Sequence, residues 1–176
     1  MKLYMEMNIR EKYNLEKTAD YLLFQPLKPL QLLSQWFLAG IFVCGILLPF
    51  FRVYLNDVWF YSLYVLCGYG IVHSLYDIFI RAKIKYTFDL RENSVYRESP
   101  LSAKKKILKL DEAVIFVSSE MGSWHYSIGA RKSQFIKSYI LSENFSSGKK
   151  SDRNQAAYEN HILAEIKKMT DSVQTV

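Results

Sequence analysis

Cysteine is scarce in this chain, and its placement excludes more than its number. Cys44 and Cys67 are the only two, with no CxxC pair and no Cys/His cluster. A disulfide framework and a thiolate metal site are both excluded by that pattern. The three histidines, His73, His125 and His161, share no ligand spacing, so no metal is expected. There is no Gly-rich phosphate loop, because Gly68-Tyr69-Gly70 lies in an apolar run, and no GxSxG motif. No serine has a His and an acid at recognisable spacing. The sequence thus supports neither a catalytic residue nor a cofactor, and a non-enzymatic protein is expected.

Charge is the other absence. Pro29 to Phe51 carries no charged residue, and Val58 to Tyr76 carries none either. A bilayer core about 30 Å thick takes roughly 20 apolar helical residues to cross. Both stretches reach that length, and a short link containing Arg52 and Asp57 joins them. The reading is a transmembrane helical hairpin. Trp36 and the Trp59-Phe60-Tyr61 cluster suit the bilayer interface. The first 20 residues are mixed and charged, which does not describe a signal peptide. The competing reading, two buried helices of a soluble protein, would need a much larger core than 176 residues provide.

Net charge is +6 and unevenly spread. Lys17 and Lys28 precede the first span, and Arg81, Lys83, Lys85 and Arg91 follow the second, whereas the link balances Arg52 against Asp57. Basic residues stay on the cytoplasmic side, so both termini are expected there. A pI near 9 could point to nucleic acid. Attraction to anionic lipid is the simpler account, and no nucleic-acid partner is expected.

Beyond the hairpin the period changes to two. Ile84, Tyr86, Phe88 and Leu90 alternate with Lys85, Thr87, Asp89 and Arg91, the pattern of a strand with one buried face. Further strands are predicted over Val95 to Glu98, Lys106 to Leu110, Ala113 to Ser118, Ser123 to Gly129 and Gln134 to Leu141. Ser142 to Asp152 reads as a solvated loop. Arg153 to about Thr170 reads as a helix with Tyr158, Ile162, Leu163, Ile166 and Met169 on one face, an N-cap at Ser151 or Asp152, and fraying from Asp171. Before the hairpin, Leu3, Met5, Met7 and Ile9 alternate as a strand that must pair with the later sheet, because a lone strand is not stable in water. Asn14 to Gln25 reads as a short helix. The expected organisation is therefore residues 1–28 as an N-terminal strand and helix pairing with the later domain, 29–81 as the hairpin, and 82–176 as a cytoplasmic antiparallel β domain closed by a C-terminal helix.

That succession of short antiparallel strands and one closing helix resembles a pleckstrin-homology-like barrel. The order of parts resembles the YcxB-like family of small bacterial membrane proteins. The segments that carry this are Met5 to Ile9, then Thr18-Ala19-Asp20-Tyr21 ahead of Leu22-Leu23-Phe24, and Tyr86-Thr87-Phe88 directly after the second span. The resemblance covers nearly the whole chain and implies an α+β bacterial inner-membrane protein with no known enzymatic activity.

Two groups of residues stand out as candidate sites. His73, Asp77 and Arg81 fall four apart on one helix face. Ionisable groups inside a bilayer are costly and often functional. The plainer reading is a ladder that anchors the helix end. Lys104, Lys105 and Lys106, with Arg97 and Lys109 nearby, form the densest basic patch and read as a loop between strands. Anionic lipid attracts such residues by about 1 kcal/mol each. The plainer reading is a solvated loop. Arg131-Lys132 and Lys149-Lys150 are weaker versions of the same idea, and His125, between Trp124 and Tyr126, reads as exposed.

Expected partners are membrane lipids and another membrane or cytoplasmic protein. The expected role is an interaction or regulatory module. The alternative is self-protection against a toxin or a transfer machine, with the hairpin itself as the binding surface through Gly40, Gly45, Gly68, Gly70 and His73.

Overall fold

The computed structural model describes residues 9–130 and 137–174. After a helical turn over residues 9–13, the chain forms β1 (Glu16–Lys17) and β2 (Tyr21–Phe24). It then enters α1 (Lys28–Leu47), which tightens into a 3-10 segment (Leu48–Tyr54), and returns through α2 (Asp57–Phe79). A 3-10 turn (Arg81–Lys83) leads to β3 (Lys85–Asp89), β4 (Ser94–Ser99) and β5 (Ser102–Leu108). Next come β6 (Ala113–Glu120), β7 (Ser123–Ala130), β8 (Tyr139–Ile140) and β9 (Phe145–Ser146). The chain closes with α3 (Lys149–Tyr158), a π-helical segment (Glu159–Leu163) and α4 (Ala164–Gln174).

The fold is α+β: two long apolar helices and two antiparallel sheets. One sheet has the order β1-β2-β3-β4-β5. The other is built on β7, which pairs with β6, β8 and β9. A single core joins both sheets to the C-terminal helices, with Phe24, Phe88, Val95, Ile128, Leu141, Tyr158, Ile162 and Ile166 all buried. Tyr158 holds the centre. Its ring meets Tyr13 edge-on at 5.4 Å and stacks on Tyr126 at 6.0 Å, and its hydroxyl donates to the Leu141 carbonyl.

The two long helices are inverted relative to that core. The buried positions in α1 and α2 are Ser34, Gly70, Ser74, Asp77 and Ile78, most of them small or polar. Large apolar side chains point outward, among them Trp36, Phe50, Val58 and Val65 at 65–75% exposure or nearby values. Twenty residues at 1.5 Å each make α1 about 30 Å long. At Gly70 the tip of the Ile41 side chain fills the place of a side chain: a Cβ there would stand 2.6 Å from Ile41 Cδ1. At the far end the Asn56 side chain caps the Trp59 amide at 2.9 Å, and Arg52 pairs with Asp57 while lying over the Phe60 ring.

Several expectations are corrected. Asn14 to Gln25 is not a helix. The helical turn ends at Asn14, whose φ is +48°, and β1 and β2 follow, with Leu22 and Phe24 buried on one face of β2. Four residues are too few to display a period, so pairing decides: Leu22 faces Phe88 and Phe24 faces Tyr86. Ile9 lies in a helical turn rather than a strand, and Leu3, Met5 and Met7 fall outside the described residues. The lysines of the basic patch sit inside β5, which begins at Ser102. Of Gln134 to Leu141, Tyr139–Ile140 is the strand, and residues 134–136 fall outside the described residues. The stretch 142–152 is not all solvated loop, because β9 buries Phe145. The closing helix starts at Lys149, four residues early, with Gly148 at its N-cap position, and runs to Gln174 through the expected fraying region. Its apolar face is as predicted, since Tyr158, Ile162, Leu163, Ile166 and Met169 are all buried.

Phe88 stacks on Phe24 at 6.0 Å and is fully buried between β2 and β4. Phe88→Ala is expected to cost about 3–5 kcal/mol. Loss of the domain's melting transition in detergent, with the two long helices still helical by circular dichroism, is the readout.

Candidate functional site

Two features flank the junction between hairpin and sheets. The first is a polar cluster at the end of α2. Asp77 is buried beside Ser74 and Ile78, on the face of α2 turned inward. One of its oxygens accepts from Arg81 Nη1 at 3.0 Å. The other accepts from Ser34 Oγ at 3.4 Å and lies 3.5 Å from His73 Nδ1. The structure thus assembles His73, Asp77 and Arg81 and adds Ser34 from α1, which the sequence reading missed. A serine among apolar residues carries no pairwise signal until the two helices are placed side by side. Ser74, one turn from Gly70, returns its hydroxyl to the Gly70 carbonyl at 2.8 Å and so satisfies itself within α2. Beside the cluster, a groove of about 1010 Å³ runs between α1 and α2, with Gly40, Cys44, Cys67 and His73 in its wall.

The second feature is the basic strand. Lys104, Lys105 and Lys106 are all exposed on β5, an edge of its sheet. Alternation splits them. Lys105 pairs with Arg97, whereas Lys106 pairs with Tyr96 on the opposite face, and Lys104 Nζ sits 4.4 Å from the centre of that Tyr96 ring. Arg97 stands opposite Lys105, but its guanidinium is engaged elsewhere. It is drawn to the Tyr86 hydroxyl across the β3–β4 pair, and its Nε is buried without a partner among the described residues. Lys109 lies beyond the other end of β5, next to Leu110 and Asp111, whose amides donate to Asn93 in the β3–β4 turn. Five residues of strand separate it from Lys104, roughly 17 Å. Lys149 and Lys150 open α3, and Arg131-Lys132 fall outside the described residues.

His125 is buried, not exposed. Alternation does put it opposite the core-facing Tyr126 and Ile128, but both faces of β7 are covered, since Ser127 on the same side as His125 is fully buried too. Its Nδ1 has no hydrogen-bond partner among the described residues. No group of three metal-ligating side chains occurs among those residues.

A hydrogen-bonded network fastens the C-terminal helices to β7. Tyr126 donates to Glu159, Gln155 donates to Glu159 at 2.8 Å, and Trp124 Nε1 donates to Gln155 at 3.1 Å. The hydrogen bonds from Tyr126 and Gln155 hold the Glu159 carboxyl below its ordinary value. Burial raises the Tyr126 and Tyr158 hydroxyls. Tyr13 is raised by burial and by Glu143, to which it donates at 2.7 Å. Tyr86 is pushed up to about 12 by burial, with the Arg97 guanidinium pulling the other way. These groups bind the domain together, and their chemistry is that of a scaffold.

Two measurements test this arrangement. Asp77→Leu strands the buried Ser34 hydroxyl and leaves Arg81 without its carboxylate, an expected loss of about 1–3 kcal/mol in detergent unfolding. The tyrosines give a pH dependence of definite sign. Each folded hydroxyl ionises above its unfolded value of about 10, so the stability it contributes is complete below pH 10 and is lost as pH rises beyond it. For Tyr86 the loss runs from about 10 to about 12, and Tyr86→Phe is expected to make the alkaline limb of a stability–pH curve shallower by about one proton. Comparison with family models, with curated proteins and with solved structures returned no match.

Proposed function

We propose that this chain is a two-span integral protein of a bacterial cytoplasmic membrane, with both termini and the β domain in the cytoplasm. In this reading the domain acts as a tethered, non-catalytic module of pleckstrin-homology-like form that engages lipid headgroups or a protein partner. The single observation that carries it is the inversion of the hairpin. Of the most apolar window of each long helix, only 6% and 17% is buried, while Ser34, Ser74 and Asp77 lie inside. Exposed surfaces this apolar need a non-aqueous neighbour, and lipid tails suit a pair of helices whose backbone groups are satisfied internally. Arg52 and Asp57 neutralise each other at the turn, whereas Arg81, Lys83 and Lys85 cluster at the domain end. That asymmetry supports a cytoplasmic domain. Tethering holds the domain at high effective concentration beside membrane partners.

A second reading, protection against a toxin or transfer machine through the hairpin, is favoured by one feature. Nothing lies within 4 Å of where a Cβ would stand at Gly40, Gly45 or Gly68, so these backbones are open to close approach by another helix. In that case, bulky substitution at the three glycines would abolish protection and leave the domain folded.

The topology is tested by single cysteines at positions 54 and 149 in a background lacking Cys44 and Cys67. In intact cells, a membrane-impermeant maleimide is expected to label position 54 alone. Labelling at 149 with protection at 54 would reverse the orientation.

A further inference from the structure

The turn between β4 and β5 sits at an informative place. β2 ends at Phe24 and feeds α1, and β3 begins at Lys85 just after α2. Because Phe24 faces Tyr86, both helices leave the sheet from one end. β4 runs back toward that end. Glu98 faces Lys85, Ser99 faces Ser102, and Pro100-Leu101 forms the turn. Pro100 and Leu101 turn the chain just beyond the Ser99–Ser102 pair, so the tip stands only about 3–7 Å past the start of β3. It lies at the end of the sheet from which both helices leave. At the tip Leu101 is 76% exposed; behind it β5 carries Lys104, Lys105 and Lys106 and β4 carries Glu98, which faces Lys85, so the hairpin's charge is net positive.

The geometry points to this β4–β5 hairpin as a membrane-docking element: Leu101 dips among the headgroups of an anionic leaflet while Lys104, Lys105 and Lys106 hold their charges at its surface. The inference rests on the two-span reading above and adds a second, peripheral contact to it. Lysines on an edge strand also discourage pairing with other strands, and that role accounts for the charges. It does not account for an exposed leucine at the apex. The split of the lysines across both faces suits a strand standing upright in a charged layer, since each face then meets phosphates. Leucine in front with charge behind is the order in which the interface presents itself, apolar first and anionic above it.

The test uses the full chain, without Cys44 and Cys67, in nanodiscs of phosphatidylcholine with or without phosphatidylglycerol. An environment-sensitive fluorophore is attached in turn at Leu101→Cys, at Lys109→Cys toward the other end of β5, and at Val65→Cys on the outer face of α2. The expected result in anionic nanodiscs is a blue-shifted emission at 101, quenched by spin-labelled lipid, with 109 in water and 65 in lipid throughout. Replacing Lys104, Lys105 and Lys106 with glutamate is expected to return 101 to water. If 101 is as wet as 109 while 65 is in lipid, the hairpin proposal falls and the two-span reading stands. If 65 is wet, both fall. A label at 101 that stays in lipid with the glutamates or without phosphatidylglycerol overturns the assignment to anionic lipid.

Discussion

The solvent requirement of the hairpin governs everything else in this chain. Helices that turn phenylalanine, tryptophan and valine outward and keep serine and aspartate within cannot share the aqueous surroundings that suit the β domain. The chain therefore has two interiors of opposite character. In the sheets, apolar side chains gather around Tyr158 and polar groups are drawn in only where a partner waits. In the hairpin, small residues carry the contact and the interior polar groups satisfy one another, as Ser34, Asp77 and Arg81 do. The 3-10 turn Arg81–Lys83 is the short seam between the two regimes.

The polar groups on each side of that seam serve shape. Asp77 ties the helix that leaves the sheet to the helix that enters it. The Tyr126–Glu159–Gln155–Trp124 network ties the closing helices to the central strand of the second sheet. In both, the carboxylate at the centre accepts from more than one neighbour and so fixes how the elements around it sit.

What could be read from the sequence followed the strength of its periodicity. The two charge-free runs are long and uninterrupted, and both became helices within a few residues of their expected bounds. The strand starting near Lys85 and the apolar face of the closing helix each had enough repeats to declare a period. Short elements were hidden for the same reason. β2 and β9 gain their structure from partners far along the chain, and four or two residues cannot announce that. His125 misled because alternation predicts orientation, while burial depends on what stands on the other face. His73, Asp77 and Arg81 were legible because one helix carries them all; Ser34 was not, because its relation to Asp77 exists only across the crossing. The basic patch had a misleading shape: a sheet deals neighbouring lysines to opposite faces, Arg97 answered to Tyr86, and Lys109 lies past the end of the strand.

The pairing of β2 with β3 has a consequence for how the molecule is made. Leu22 meets Phe88 across more than sixty intervening residues, most of them in the two long helices. Closing so distant a contact is slow and entropically expensive unless something brings the ends together first. The returning hairpin does that, delivering both strands to one place. Until the second helix has doubled back, Leu22 and Phe24 have no sheet to join and remain as bare apolar surface. Completion of the sheet is thus a built-in report that the helical pair has assembled.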